Sequence, residues 1–446
     1  MFRLFILSLL LLSLFSIEVF SETYDLVKSF ERAKELDPAF ASVRFEYQAA
    51  LTLPKQTKAQ LLPQLNLSYN LYRLNYIQAP RNYFDYEGSN LRLTLQQTVL
   101  NFPLWEEHRQ NKLRVHFAEQ KLTDAELNLI RRVVEAYFNY LLAKERLKIL
   151  KEEERALKHN REAVERLFQA GEATLTDVYD AETRLSEVTY RIVSAERDLL
   201  VARGNMAKLL GIEFTAPFDL APLREEIKLP ELNPDDLNYW LTLAAQRNPT
   251  VKSYAISKEI AFREINKQSY LAYPRLDVYA SYIRSSSVEY LKTADISYQL
   301  IGLQITVPLF TGGYITTKKV EAKERFHRAE KEYDRVLSDT LQRVLELYQG
   351  VKSSQAQIQY ARALLISSRL SLDATRKAYQ AGQRTFVDLL LAESNYYQAK
   401  FAHLKARYDY LLNFVLLKIT CGSFTYKDLY DLNELFTHER TYHAAR

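Results

Sequence analysis

The stretches QAGEATLTDVYDAE (residues 169–182) and QAGQRTFVDLLLAE (residues 380–393) each put one glycine break into a long, charged, helix-forming region. Seven of their fourteen aligned positions are identical, and the stretches lie 211 residues apart, close to half of the 446-residue chain. A helix that stops twice in the same way, half a chain apart, indicates an internal repeat.

Other matching stretches keep the offset of 211 residues. The matches are ELDPAF (35–40) with QRNPTV (246–251), and LLPQLNLSY (61–69) with AYPRLDVYA (272–280). We interpret the chain as a tandem duplication in which each half runs helix, strand, strand, very long helix, glycine break, helix. The predicted divisions are a signal peptide (1–21), a first repeat (22–210), a linker (211–236), a second repeat (237–420) and a C-terminal tail (421–446).

The composition is typical of long helices in an exported protein. Glycine (10) and proline (12) are scarce, and strong helix formers dominate. The 60 basic and 55 acidic residues are interspersed, so no basic block indicates a nucleic acid partner. A single cysteine, Cys421, excludes an intrachain disulfide and a cysteine metal cluster. The N-terminal apolar run of about fourteen residues is short for a membrane helix and predicts a signal peptide cut after Ser21.

Four segments alternate apolar and polar residues with the period of a β-strand. They are 65–72, 91–99, 276–283 and 301–307. Alternation over about ten residues is typical of a transmembrane strand, although an amphipathic sheet on a soluble domain would show it too. The polar stretches at 77–90 and 285–296 are predicted to be exposed loops that connect paired strands.

Two very long helices are predicted at about 104–169 and 315–380, because apolar residues recur there at spacings of three and four. Helices at about 175–210 and 386–418 are predicted to return beside them as antiparallel partners. The linker holds four prolines and is expected to wrap outside the helices. The tail after Cys421 is polar, and no structure is predicted for it.

Four strands cannot close a barrel, and an open sheet edge in lipid leaves backbone N–H and C=O groups unpaired. If the strands span a membrane, several chains must share one barrel, and three chains supply an even number within the outer-membrane range. The predicted fold is therefore mainly α with a membrane β-barrel. Long antiparallel helical hairpins form an α-barrel, and four strands per chain contribute to a shared, trimeric, twelve-stranded barrel.

The motif VPLFTGGYITTKKVEAKERF (307–326), the paired glycine breaks, the Asn-Pro at 248–249 and the strand entry LLPQLNLSY resemble the TolC family of outer-membrane efflux proteins. The first half departs from the pattern at QTVLNFPLWEEH (97–108), which lacks the Gly-Gly of its counterpart. The resemblance implies a homotrimer in outer-membrane lipid that extends into the periplasm. It also implies no enzyme activity and no cofactor, and a role as exit duct for an inner-membrane pump docked through a periplasmic adaptor.

Both glycine breaks predict a helical hairpin turn. Gly171 and Gly382 allow positive φ where a helix ends, and Thr174 and Thr385 are suited to cap the returning helix. A turn and nothing more would explain these residues. The functional interpretation is that the turns form the mouth of the tube. The resemblance adds adaptor contacts at these tips, with Gly171, Gly382 and Ala173 as candidates.

The candidate gate residues lie beside the two turns. In a trimer, Asp388 forms a ring of three carboxylates that attracts cations. By resemblance, Tyr379 and Arg384 are the donors of links that hold the mouth nearly closed. The corresponding acceptors are Thr176 and Asp177.

Two further features concern the shape and selectivity of the tube. The family pattern places a second acidic ring one turn beyond Asp388, where this chain has Leu391. We therefore expect a filter that is weaker or partly apolar. Gly312 and Gly313, between the fourth strand and the long helix, are predicted to bend the chain from barrel to tube.

Two other classes of protein compete with a channel. The seven histidines lack metal-ligand spacing, and there is no phosphate-binding glycine loop or nucleophile elbow. We therefore expect no catalytic residues, no metal site and no enzyme. A periplasmic coiled-coil adaptor or scaffold without a channel would explain the helices and the signal peptide, but not four alternating strands in duplicated pairs.

Overall fold

The computed structural model describes residues 22–78, 86–224, 227–289 and 292–436, so the predicted signal peptide lies outside the described residues. The described chain is mainly α-helical, which confirms the predicted class. Its elements are β1 (Glu22–Tyr24), α1 (Leu26–Leu36), α2 (Pro38–Ala50), α3 (Leu53–Gln60), β2 (Gln64–Leu74), β3 (Tyr86–Leu100), α4 (Phe102–Gln169), α5 (Leu175–Leu210), β4 (Phe218–Leu220), α6 (Leu237–Arg247), α7 (Pro249–Tyr270), β5 (Arg275–Glu289), β6 (Lys292–Thr306), α8 (Tyr314–Gln380), α9 (Phe386–Thr420) and α10 (Tyr426–Asn433).

The four longest helices begin and end within two residues of the predicted limits. Helices α4 and α8 have 68 and 67 residues, and α5 and α9 have 36 and 35. We call α4–α5 the first hairpin and α8–α9 the second hairpin. None of the helices in the described ranges carries an apolar stretch of the length that a membrane crossing requires.

Ion pairs show that α5 returns antiparallel to α4. Arg146 of α4 lies 3.4 Å from Asp198, and Arg161, nearer the turn, lies 2.9 Å from Glu182. As the α4 residue number rises, that of its partner on α5 falls. These pairs are partly exposed and contribute roughly 0–1 kcal/mol each. They mark the register of a hairpin whose stability comes mainly from the apolar seam.

Two compact units make up the chain. The helical unit draws on residues 1–41, 125–248 and 340–446 and holds both hairpin turns. The strand unit draws on residues 42–124 and 249–339 and holds the four-stranded sheet. Within the strand unit, the buried Glu106 of α4 pairs with Arg263 of α7 at 3.1 Å, so these two helices are joined by a charge-assisted bond.

The strand unit contains an antiparallel sheet in the order β2-β3-β5-β6. Its central pair joins β3 to β5, so the sheet connects the two halves of the chain through backbone hydrogen bonds. The register shifts between Thr98 and Leu100, a bulge at the end of β3. On one face, Thr98 donates to the buried Asp277 at 2.8 Å, and Thr94 and Ser281 share a hydrogen bond of 3.2 Å.

The opposite face of the sheet is apolar and exposed. In β2, Leu65, Leu67, Tyr69 and Leu71 are 60–74% exposed. Apolar residues of β3, β5 and β6 extend this surface across the sheet. Those that are also exposed are Leu93, Leu95, Val278, Tyr282, Ile301, Leu303 and Ile305. The period-two prediction therefore assigns the two faces correctly.

The predicted connections between strands were too long. Strand β5 continues to Glu289 and β6 begins at Lys292, so most of 285–296, predicted as a loop, is strand. Likewise β3 begins at Tyr86, inside the predicted loop 77–90, of which residues 79–85 lie outside the described part. These strand ends are polar, and polar stretches of sequence are typical of loops as well. Here β5 and β6 pair residue by residue, from Ser285 opposite Ile296 to Glu289 opposite Lys292. This pairing satisfies the backbone N–H and C=O groups whatever the polarity of the side chains.

A short strand in the linker was missed. Phe218–Leu220 forms β4, which pairs in parallel with β1 at the start of the described chain. Phe218 and Leu220 are buried, and the hydroxyl of Tyr137 in α4 donates to the Ala221 carbonyl at 2.9 Å. The linker was expected to wrap outside the helices, whereas this part of it is packed into the helical unit. Three residues are too few for a periodic pattern.

The C-terminal tail, for which no structure was predicted, forms helix α10. Thr425 caps this helix through a reciprocal bond with Asp428, and Leu429 and Phe436 are buried. The Asn433 side chain accepts a hydrogen bond of 2.9 Å from the backbone N–H of Leu26. The described part of the tail, residues 421–436, is therefore part of the core of the helical unit.

Gly422, between α9 and α10, is predicted to be intolerant of a side chain. Its φ is +62°, and an added Cβ would lie 2.5 Å from the Arg247 carbonyl oxygen. Gly171 has φ of +78° with no neighbour within 4 Å and serves as the control. Both Gly→Ala changes incur about 1–2 kcal/mol for the left-handed backbone. Only Gly422→Ala adds a clash with the Arg247 carbonyl, so it should lower the thermal unfolding midpoint more than Gly171→Ala does. Equal midpoints of the two variants would contradict the close packing at Gly422.

Candidate functional site: the hairpin turns

The two hairpins reverse through turns of the same geometry. In the first, the N–H of Gly171 donates to the Phe168 carbonyl at 2.9 Å, and that of Glu172 donates to the Leu167 carbonyl at 2.8 Å. The second turn repeats both bonds, from Gly382 and Gln383, at 2.9 and 2.8 Å. This pair of bonds is the Schellman motif, which requires a left-handed residue and therefore favours glycine.

Each returning helix begins with a capping box. The Thr174 hydroxyl accepts from the N–H of Asp177 at 3.2 Å, and the Asp177 carboxylate accepts from the N–H of Thr174 at 2.9 Å. Thr385 and Asp388 repeat the arrangement at 3.2 and 3.1 Å. Two orphan N–H groups are satisfied at each helix start. The identities shared by the two sequence stretches thus include the residues that end one helix and begin the next.

Asp388 has a structural role in addition to any role in a channel. Its carboxylate accepts from the N–H and hydroxyl of Thr385 and lies 4.0 Å from the Arg384 guanidinium. Hydrogen bonding by Thr385, aided by the charge of Arg384, lowers the pKa of Asp388 below its usual value. The carboxylate therefore stays ionised at neutral pH, with its side chain 38% exposed.

The predicted gate donors and acceptors lie in the same region without direct bonds. Tyr379 is half-buried, and its ring centroid is 5.7 Å from that of Phe386. Burial and the charge of Asp177 raise the pKa of Tyr379. Arg384, in the turn, pairs with Asp388 of the helix that follows. Within the described part of the chain, no hydrogen bond joins either donor to Thr176 or Asp177. The set of links between these donors and acceptors, which we call the latch, therefore stays a prediction.

The remaining predicted tip residues differ in their exposure to solvent. Gly171, Gly382 and Thr176 are exposed, and Ala173 is half-buried against the apolar cluster described below. Leu391, which occupies the place of the second acidic ring, is 50% exposed. The tips thus present glycine backbone together with polar and charged side chains such as Gln383 and Arg384 to solvent.

An apolar cluster joins the two hairpins above their turns. It contains residues of all four helices: Leu150, Leu157, Val164, Ala181, Val188, Ile192, Ala195, Leu372, Phe386, Leu389 and Leu390. Fully burying one such leucine or valine contributes roughly 1.5–3 kcal/mol. The packing of one hairpin on the other therefore depends mainly on this cluster.

Buried carboxylates beside the apolar cluster were missed by sequence reasoning. Glu393 of α9 is 2% exposed and accepts from Arg376 of α8 at 3.0 Å and from Asn160 of α4 at 2.6 Å. Glu153 of α4 is 3% exposed and lies 3.6 Å from Arg191 of α5. On helices this rich in charge, no single glutamate gives a sequence signal. The Glu shared by the two glycine stretches, at 182 and 393, is the only hint.

The two strand-to-helix junctions use different devices. Before α8, Gly312 and Gly313 have φ of +58° and +82°, and their surroundings are open. Before α4, the Asn101 side chain accepts from the N–H of Leu104 at 3.1 Å and caps the helix. The first half thus starts its long helix with a side-chain cap where the second uses glycine, consistent with the departure at 97–108.

This combination of paired long hairpins and an amphipathic four-stranded sheet defines a channel-forming outer-membrane protein. The family model described as "Outer membrane efflux protein" matches residues 30–212 and again residues 240–423. The chain belongs to this family, a class of outer-membrane transport proteins. The described residues contain no cluster of three metal-ligating side chains.

Curated relatives match over most of the chain. The alkaline protease secretion protein AprF of Pseudomonas aeruginosa is 29% identical, covering 91% of this chain and 85% of AprF. The outer membrane protein TolC of Vibrio cholerae is 26% identical, covering 92% and 93%, respectively. The Escherichia coli TolC is 25% identical, covering 95% and 87%.

Solved structures show the same fold. The Campylobacter jejuni CmeC outer membrane channel superposes with a TM-score of 0.78 at 19% identity, covering 93% of this chain and 90% of that one. The Neisseria gonorrhoeae MtrE outer membrane channel, in its open state, gives 0.75 at 19% identity, covering 90% and 89%.

Removing one cap should loosen the start of its helix. Thr385→Ala is expected to destabilise the first turn of α9 by about 1 kcal/mol, about a fivefold rise in hydrogen exchange of its amides. Thr183→Ala is the control, because the Thr183 hydroxyl donates to the Tyr179 carbonyl within α5 and caps no helix. Equal exchange near residue 386 in both variants would show that the capping box contributes nothing.

Proposed function

We propose that this protein is the trimeric exit duct of an efflux or type I secretion system. Three chains share a twelve-stranded β-barrel in the outer membrane, continuous with an α-helical barrel in the periplasm, and conduct cargo passively. The observation that carries the proposal is the four-stranded sheet with one exposed apolar face and two open edges.

The sheet edges call for further strands. The order β2-β3-β5-β6 leaves the outer edges of β2 and β6 without a partner strand in the described chain. In lipid, each unpaired backbone group costs several kcal/mol. Pairing β6 of one copy with β2 of the next satisfies both edges by one repeated contact, and such a heterologous contact closes into a ring.

The exposed faces support a lipid environment. The outer surface of a transmembrane barrel carries an apolar band, which is flanked by girdles of aromatic residues at the two membrane–water interfaces. Where the strands meet the helices, Phe102 lies 5.2 Å from Trp105 and 5.3 Å from Tyr273, measured between ring centroids. Tyr270 lies 5.3 Å from Tyr273. This aromatic cluster fits one membrane–water boundary.

Exposed apolar side chains on α5 and α8 support contacts between copies in the helical unit. Single exposed apolar residues are ordinary, but runs of them on two helices are typical of an interface. Packing α5 of one copy beside α8 of the next would cover both runs and close the α-barrel. The exposed residues are Tyr179, Tyr190, Val193, Leu200 and Val201 on α5, and Tyr360, Leu364, Ile366 and Leu370 on α8.

The duplicated sequence supports the proposed domain division. Residues 22–210 and 237–420 are two repeats, joined by the linker 211–236 and followed by the tail 421–446, after a signal peptide at 1–21. The family model matches once in each repeat. Breaks at Gly171 and Gly382 end α4 and α8 at equivalent positions.

The partners follow from the family and the relatives. Two relatives, AprF and the PrtF protein of Dickeya chrysanthemi, are named as protease secretion proteins. The cargo of this chain is secreted protein or smaller molecules, which an inner-membrane pump supplies. The turns at Gly171, Ala173 and Gly382 are the docking points for a periplasmic adaptor. The duct itself carries out no reaction.

The mouth is gated where the turns meet around the trimer axis. Asp388, held ionised by its cap, contributes a ring of three carboxylates that favours cations. Tyr379 and Arg384 link to Thr176 and Asp177 when the mouth is closed. Because each link is partly exposed, it is worth roughly 0–1 kcal/mol, which a docked partner can overcome.

Assembly separates the duct from an adaptor or scaffold. We expect the purified full chain from outer-membrane fractions to run as a trimer that resists detergent and heat, because barrel closure satisfies all strand edges. The matched variant is Ile301→Arg/Leu303→Arg, which puts charge on the exposed face of β6 and should abolish the resistant trimer. A soluble monomeric wild-type protein would support the scaffold.

The latch is tested by single-channel conductance in planar bilayers. Tyr379→Phe/Arg384→Ser should raise the conductance severalfold, because it removes two donors from the closed mouth. Lys377→Ser, which deletes a nearby exposed charge from α8, should leave it unchanged. Equal conductance of double variant and wild type would dismiss the latch and leave the duct intact.

A further inference from the structure

A small internal cavity separates two buried carboxylates between the hairpins. The cavity has a volume of about 10 Å³ and is lined by Glu153 of α4 and Glu393 of α9, together with apolar side chains of Leu157, Val188 and Leu390 and polar ones of Arg184, Glu187, Arg191 and Ser394. It holds at most one water molecule. The two buried carboxylates repel each other, and the guanidinium groups of Arg184 and Arg191 oppose the resulting rise in the pKa of Glu153.

The two carboxylates differ in their hydrogen bonds. Both oxygens of Glu393 accept, one from Arg376 at 3.0 Å and the other from Asn160 at 2.6 Å. Glu153 lies 3.6 Å from Arg191 through Oε1, and its Oε2 is buried with no hydrogen-bond partner. An ionised oxygen left unpaired in the interior costs far more free energy than a protonated, neutral one.

Charged and titratable groups approach this site from all four helices. Burial is the main cause that raises the pKa of both carboxyls, and the arginines on α5 and α8 oppose it. The charge of Glu393 raises the pKa of Glu153 further. The surrounding groups are Glu152 and His159 on α4, Arg184, Glu187 and Arg191 on α5, Arg376 on α8, and Tyr397 on α9.

We infer that Glu153 and Glu393 form a proton-binding site, in which Glu153 carries the proton and Glu393 stays ionised against Arg376. The partner-free Oε2 of Glu153 is the atom protonated, because it is the one oxygen of the pair that no donor reaches. The site connects the first hairpin to the second, since Glu393 bonds to Asn160 across the two.

The direction of the pH effect follows from the raised pKa. The folded site holds the proton at pH values where an unfolded glutamate has lost it. The site's contribution to packing is therefore complete below the unfolded pKa and falls as pH rises through the window up to the folded pKa. Mildly acidic conditions hold the hairpins together more firmly than neutral or alkaline ones. Any effect on the opening of a channel mouth rests on the proposed function, but the protonation does not.

Infrared spectroscopy detects the proton directly. Wild-type full chain, at a pH just above the usual pKa of a glutamate, should show a protonated-carboxyl C=O band that is lost in Glu153→Gln. The matched control is Glu196→Gln, which alters a half-exposed carboxylate of α5 that pairs with Lys151 and should keep the band. A wild-type spectrum without a band that Glu153→Gln removes would overturn the proposal.

Hydrogen exchange tests the link to packing. Corrected for intrinsic rates, protection of α9 amides around residue 393 should fall in the wild type by up to about tenfold per pH unit within the titration window. Glu153→Gln imitates the protonated form and should flatten this dependence, whereas Glu196→Gln, at an exposed carboxylate of α5, should retain it. Parallel slopes for wild type and Glu153→Gln would overturn the coupling. Neither measurement requires a conducting channel, so its failure is distinguishable from failure of the proposed function.

Discussion

Backbone hydrogen bonding at the sheet edges is the constraint on which the rest of the structure depends. β3 and β5, one from each half of the chain, pair along their whole length, so the duplication is joined at the centre of the sheet. The outer edges of β2 and β6 have no partner strand in the described residues. In lipid those edges have to be paired, and the proposed trimer is the arrangement that pairs them with copies of themselves.

The long hairpins could be predicted from the sequence almost to the residue, because local chemistry sets their limits. Gly171 and Gly382 end helices through backbone bonds within one turn, and Thr174 and Thr385 begin the next ones. No distant contact is needed for either event. The alternation of strand residues likewise assigned the faces of the sheet, since the side-chain period of a strand does not depend on its partner.

What could not be predicted depends on contacts distant in sequence. β4 is three residues long and exists because β1 lies beside it. Helix α10 contacts the start of the described chain through Asn433. Glu153 and Glu393 look like ordinary members of charged helices until burial distinguishes them. The proposed gate contacts would be equally distant in sequence, because they depend on how one hairpin meets another, and no pattern within one hairpin specifies that.

The aspartates at the turns combine two roles that sequence reasoning treated as alternatives. A plain turn would need the Thr-x-x-Asp capping box, and a cation-attracting mouth would need an exposed carboxylate. Asp388 provides both, since one oxygen accepts from Thr385 while the side chain remains partly exposed. Its charge is therefore present as a consequence of folding, whatever passes the mouth.

Because every hydrogen bond of the two turns is made within a few residues, each tip behaves as a self-contained rigid body. If the second hairpin swings away from the first, none of the Schellman or capping bonds has to break. Such a movement would instead disrupt contacts between the hairpins, among them the apolar cluster, the bond from Asn160 to Glu393 and the ion pair of Lys400 with Glu152. A moving tip would thus keep its shape, and a partner would recognise the same surface at every stage of the movement.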